Sequence, residues 1–237
     1  MNRPDEPSED VQSLYPFLYA DSSDVDAVVE QVRRSTVDKT REITELRETM
    51  FERDAELILD CARDMAERFA AGGRLFTFGN GGSSTDAQDL AQVFLAPVGS
   101  PFAGTAPPLP ALCLTNDIAV MTALSNDIGY DVVFSRQIAA SGRPTDIALG
   151  LSTSGNSANL VRAFDEASRL GLLTVGIAGY QGGRMAELPS IDHLFVVPST
   201  SVHRIQEAQT TLYHLLWELT VAHLDRIDRA DLEAVSP

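Results

Sequence analysis

Twice in this chain a short apolar run breaks into glycines and hydroxyl residues, and a helix-compatible segment follows. The first case is residues 75–84, LFTFGNGGSS, and the second is residues 147–157, IALGLSTSGNS. A buried strand that ends in such a turn and leads into a helix leaves unpaired backbone N–H groups at the helix N-terminus. Those donors, with the positive end of the helix dipole, suit an anion such as phosphate. Two strand–turn–helix units also restrict the fold. Parallel strands need crossovers, and a sheet built this way is covered by helices on both faces.

The rest of the chain from Arg74 extends this alternation. Strands are expected at 75–78, 111–114, 147–151, 173–178 and 194–197. Helices are expected at 85–95, 132–140, 158–170 and 202–227, with helical turns at 118–124 and a proline- and glycine-rich loop at 97–109. The fold class is therefore α/β with a parallel sheet. Crossovers should be right-handed, and ligands should sit at the carboxyl ends of the strands, where both Gly/Ser turns lie.

The first 73 residues read differently. Residues 1–22 form an acidic tail; the first 30 residues carry eight acidic side chains and one basic, Arg3. Within the tail, Leu14 to Tyr19 makes an apolar patch that either docks on the protein or binds a partner. Helical signals start at Ser23 and Asp24, which can cap. Val25, Val28, Val29 and Val32 follow, and then the stripe Ile43, Leu46, Met50, Leu57, Ile58, Cys61, Met65 and Phe69. Gly72 and Gly73 end the tract. The expected organisation is a tail at 1–22, N-terminal helices at 23–73 and the α/β domain at 74–230.

A net charge of −16 argues against a direct nucleic-acid surface, which needs a basic stripe. It leaves room for a phosphorylated small molecule, because backbone donors and hydroxyls hold phosphate without net positive charge. The first turn reads GxGxxS, with no acidic residue near position 100 to hold a ribose, and no GxxxxGK[ST] exists. Dinucleotide and P-loop readings both fall. Cys61 and Cys113 have no CxxC partner and read as buried reduced thiols. With no signal peptide and no membrane-length apolar span, the expected location is cytoplasmic.

In the second turn Ser152, Thr153, Ser154 and Ser157 place four hydroxyls within six residues. Capping the following helix needs one of them. Four favour a ligand with several phosphate oxygens.

Five segments together resemble the sugar isomerase (SIS) domain: GNGGSSxDAQ, LPALCLTND, LSNDIGYDVVFSRQI, LGLSTSGNSANLV and RIQEAQ. More narrowly, they resemble sedoheptulose-7-phosphate isomerases, also called phosphoheptose isomerases, over roughly residues 57–224. The resemblance implies a flavodoxin-like three-layer αβα fold with five parallel strands, and a homotetramer with shared sites. It implies substrate contacts from Asn80, Gly81, Gly82 and Ser83, from Asn116 and Asp117, from Ser152, Thr153, Ser154 and Ser157, and from Gln206. Some members carry zinc; the matching positions that remain here are Gln206 and His214. The implied reaction is aldose–ketose isomerisation, in which a base moves a proton between C1 and C2 and an acid serves the oxygens. His214 matches the acid.

The base does not match. Counting from GNGGSS, Val93 stands where these isomerases keep a glutamate, and Asp89 where they keep a histidine. Valine accepts no proton. Three readings stay open: an isomerase with Asp89 as a displaced base, partnered by His214 or His203; a non-catalytic protein that binds a phosphosugar or a partner; or an enzyme for a different phosphosugar. His214 lies in an apolar helix, where a lone histidine is as readily a core residue as a site residue. Asp86 reads as a solvated or capping residue, and His193 and His223 as structural.

Overall fold

A computed structural model describes residues 25–96 and 107–235. The acidic tail at 1–22 with its apolar patch, and most of the loop at 97–109, lie outside the described residues. The chain divides into two compact units, Met1–Thr44 and Glu45–Pro237.

The first helix, α1, runs Val25–Ala70 and ends at Gly72, whose φ of 78° is the left-handed conformation that glycine adopts without strain. Then follow β1 (Leu75–Gly79), α2 (Gly82–Leu95), β2 (Ala111–Cys113) and α3 (Ile118–Asp127). A 3₁₀ turn at Tyr130–Val132 leads into α4 (Val133–Ser141) and β3 (Ile147–Ser152). The chain continues with α5 (Ala158–Arg169), β4 (Leu173–Gly179), a 3₁₀ turn at Gly183–Glu187, β5 (His193–Val197) and α6 (Val202–Val235). The five strands are all parallel in the order β2-β1-β3-β4-β5. This is the doubly wound, flavodoxin-like order, with its switch point between β1 and β3.

The N-terminal helices expected at 23–73 are one continuous helix, α1, and α2, α3 and α6 are each longer than expected, α3 running on to Asp127. Helix α2 starts at Gly82, not near 85, because Ser83 N–H donates to Asn80 O and Ser84 N–H to Gly81 O, so the glycine turn itself is the first helical turn. Helix α6 continues past 227 to Val235, since no glycine or proline interrupts it before Pro237.

Alternation along β1 assigns the two faces of the sheet. Phe76 and Phe78 face α4 and α5 and belong to one buried cluster with Phe134, Ile138, Leu160 and Phe164. The Phe78 ring lies 5.4 Å from that of Phe134 and 5.3 Å from that of Phe164. Gly150 on β3 makes room for them, since a Cβ there would lie 2.6 Å from Phe78 and 2.7 Å from Phe164. Thr77 points the opposite way, and its hydroxyl donates to Ala87 O of α2 at 2.7 Å. On that side Phe69 of α1 stacks on Phe94 of α2, and Tyr213 and Trp217 of α6 are buried.

Asp146 fastens the amino ends of β1 and β3 beside each other. Its fully buried carboxylate accepts from Arg74 N–H at 2.9 Å, Arg143 N–H at 3.0 Å and the Arg74 guanidinium at 2.8 Å. Asp146→Ala leaves two backbone donors without an acceptor at a buried strand start. We expect it to destabilise the protein by about 3 kcal/mol in urea unfolding, with Asp146→Asn intermediate.

Candidate active site

Parallel pairing matches Gly79 at the end of β1 with Leu151 near the end of β3, so the two Gly/Ser turns leave the sheet side by side. They are fastened to each other by a reciprocal amide pair. Asn80 Nδ2 donates to Asn159 Oδ1 at 2.9 Å, and Asn159 Nδ2 donates back to Asn80 Oδ1 at 2.9 Å. The Tyr130 hydroxyl donates to the same Asn80 oxygen at 2.9 Å. Asn80 therefore serves the shape of the site. Neither Asn159 nor Tyr130 carries a site signal of its own in the sequence, although both lie inside segments that carry the resemblance.

Within the second turn, Ser152 Oγ accepts from Gly155 N–H at 3.0 Å and Ser154 Oγ from Asn156 N–H at 3.2 Å. These hydroxyls hold the loop while keeping their own protons to donate. Ser157 occupies the N-cap of α5, yet its side chain makes no capping hydrogen bond. Thr153 is half-buried, and its carbonyl packs so closely on Gly179 that a Cβ there would lie 2.4 Å away. Gly155, with φ 66°, lets the turn meet the turn after β4; a Cβ on it would come within 1.9 Å of Gly182 O.

Around the first turn, Gly81 and Gly82 are exposed and Ser83 is buried. Ser84 reaches out instead, its hydroxyl donating to Thr115 Oγ1 at 2.9 Å. At the end of β2, Asn116 and Asp117 are both exposed, and Asp117 caps α3 by accepting from Val120 N–H at 3.0 Å.

Helix α6 packs against α2, beginning beside the first turn. Gln206 lies against Gly82, where a Cβ would come within 2.7 Å of its Nε2, and that nitrogen donates to Asp86 Oδ2 at 2.8 Å. Asp86 is thus half-buried and bonded across helices, not solvated or capping as its sequence position suggested. Farther along, the Tyr213 hydroxyl donates to Asp89 Oδ2 at 2.6 Å, and His214 Nε2 lies 3.7 Å from the same oxygen. His214 is 48% exposed and Asp89 54%, so the histidine is a surface group. His203 is exposed. Val93, 9% exposed, is packed away. His193 is held by Asp64 at 2.8 Å, in keeping with a structural role.

The donors do not fit a zinc ion. Zinc sites take three or four His, Cys or carboxylate ligands. Here one imidazole, that of His214, stands near one exposed carboxylate, that of Asp89. Among the described residues, no three His, Cys, Asp or Glu side chains are grouped to hold a metal ion.

Burial raises the Asp86 carboxyl above the ordinary carboxylate value; the Gln206 hydrogen bond opposes this and the nearby Asp89 charge adds to it. A raised pKa means the folded protein holds this proton more tightly than the unfolded chain. The charged form is therefore a cost that appears as pH rises through the unfolded value, about 3.9, and is complete above the folded one. Asp86→Asn removes that charge and keeps an acceptor for Gln206. Its melting temperature should exceed that of wild type at pH 7 and converge on it below about pH 3.5.

The SIS domain family profile matches residues 40–179. The phosphoheptose isomerase of Nitratidesulfovibrio vulgaris strain Hildenborough is 42% identical over 193 residues, spanning 81% of this chain and 90% of that protein. That of Aquifex aeolicus is 40% identical over 179 residues, 76% of this chain and 91% of its own length. Among solved structures, a phosphoheptose isomerase from Neisseria gonorrhoeae superposes with TM-score 0.70 at 32% identity, covering 80% of this chain and 99% of that one. One from Francisella tularensis gives TM-score 0.68 at 30% identity, covering 79% and 98%. The chain belongs to the SIS domain family, and within it resembles the phosphoheptose isomerases over about four fifths of its length.

Proposed function

We propose that this protein interconverts the ketose sedoheptulose 7-phosphate with its aldose isomer, with Asp89 as base and His214 as acid. The observation that carries the reading is the exposed carboxylate–imidazole pair of Asp89 and His214, held between α6 and the helix that the first Gly/Ser turn launches. Phosphate sits on the second turn, where the Ser157 hydroxyl is not spent on capping and Ser152, Thr153 and Ser154 face the same end of the sheet. Gly81 and Gly82 contribute backbone N–H groups at the start of α2, with Ser83 beside them. Asn116, Asp117 and Gln206 flank the sugar.

In the ketose-to-aldose direction Asp89 removes a proton from C1 and returns it to C2. His214 protonates the C2 oxygen and, as imidazole, takes the proton from the C1 hydroxyl. The enediol between the two steps exchanges protons with water, which makes the reaction visible without a coupled assay. In deuterated buffer we expect NMR to show deuterium entering C2 of the aldose and C1 of the ketose. Asp89→Asn should lower kcat by about 100-fold or more, the usual contribution of a positioned base.

Buried Val93 favours a second reading, in which the same pocket binds the sugar phosphate, or serves a protein partner, without turnover. Binding without deuterium incorporation would establish that reading, and Val93→Glu would then be expected to create exchange.

Ser157→Ala separates ligand binding from folding. Since the hydroxyl caps nothing, the melting temperature should hold within a degree or two. Loss of a hydrogen bond to phosphate should weaken sedoheptulose 7-phosphate binding about tenfold in calorimetry.

We also place this reaction in the cytoplasm and in a homotetramer. A sugar phosphate cannot leave through a membrane by itself, and among the described residues no helix is long and apolar enough to cross one. Helix α3, IAVMTALSND, has no buried residue, and Ile118 at its start is 72% exposed. Another copy of the chain is the proposed cover, and sedimentation velocity should show a species of four chains.

A further inference from the structure

Tyr213 is an unusual neighbour for a surface carboxylate. The residue is 1% exposed, in the body of helix α6 among Leu212, Leu216 and Trp217. A buried phenol needs a partner for its hydroxyl, and this one finds it at the edge of the site, donating to Asp89 Oδ2 at 2.6 Å. His214 Nε2 stands 3.7 Å from that same oxygen, and the Tyr213 and His214 rings lie side by side with centroids 5.2 Å apart. Burial, with the adjacent Asp89 carboxylate, pushes the phenol well above its ordinary pKa, so it stays a donor through the neutral range.

An exposed aspartate on a helix samples several rotamers, and fixing one costs conformational entropy on every turnover. Anchoring one oxygen to a rigid, buried hydroxyl removes that freedom in advance. Proton transfer at carbon is sensitive to such placement, and a misplacement of about 1 Å can cost about 100-fold in rate.

We propose that Tyr213 is a positioning residue, whose buried phenol holds the Asp89 carboxylate beside His214 for proton transfer at the sugar. This rests on the isomerase reading above. Tyr213 touches no substrate and acts only through Asp89.

Tyr213→Phe removes the hydroxyl and keeps the ring. The expected result is a kcat for sedoheptulose 7-phosphate lowered about 10- to 100-fold, with KM within about twofold because the phosphate turn is untouched. In an Asp89→Asn background the same change should cost nothing further, since the path through Asp89 is already broken. Asp89→Glu, a surface change that does not threaten folding, keeps the carboxylate but moves it by one methylene from the phenol, and should also lose kcat at least tenfold. A Tyr213→Phe protein that folds and retains wild-type kcat within twofold overturns the proposal, as does an Asp89→Glu protein with near wild-type kcat. Wild type that binds the sugar phosphate without exchanging its C1 or C2 proton overturns the isomerase reading first, and this one with it. The two failures are distinguished by wild type alone.

Discussion

The register between β1 and β3 sets where everything else in the site can be. With Gly79 opposite Leu151, two turns 72 residues apart in sequence emerge at the same level from adjacent strands. A parallel sheet makes such a meeting only at the carboxyl edge, and only at the switch point do the following helices diverge to opposite faces and leave a crevice. Asp146 holds the other ends of the same two strands, so the pairing is clamped at its start and open at its finish. The Asn80–Asn159 amide pair converts two adjacent loops into one wall. Gly155 lets the turn after β4 close against that wall.

The second structural relation is the crossing of α2 and α6. It brings together two carboxylates three residues apart on one helix and three groups on the other, in two tiers: Asp86 with Gln206, and Asp89 with Tyr213 and His214. The tiers differ in environment. Asp86 is half-buried and disfavours its charge, while Asp89 is exposed and has a buried donor behind it. Two carboxylates with separated environments are a common arrangement for dividing roles within a site. It is the exposed one, next to the imidazole, that the proposed chemistry uses.

Much of this was legible in the residue order. Strand–turn–helix alternation gave the sheet and its parallel sense, since short apolar runs between glycines and amphipathic segments leave few other solutions. The hydroxyl-rich turn was visible because four hydroxyls exceed what a cap requires. Less visible were Asn159, Tyr130, Asp86 and Tyr213. Each acts through a contact 50 to 124 residues away in sequence, and nothing in local periodicity marks such a partner. Tyr213 in particular sits in an apolar helical stripe, where its ring satisfies the pattern and conceals the task of its hydroxyl.

The sequence by itself determined the fold class, the two Gly/Ser turns and the family. Those depend on local backbone preference, on hydrophobic spacing and on motifs that survive as contiguous strings. It also showed that Val93 removes the expected base. Only the tertiary structure decided what stands in its neighbourhood: that Asp89 and His214 meet, that Gln206 is bonded to Asp86, and that Tyr213 reaches out of the core to hold Asp89. The physical reason is that hydrogen bonds between side chains on different helices depend on the crossing of those helices, and the crossing is set by packing of the whole core.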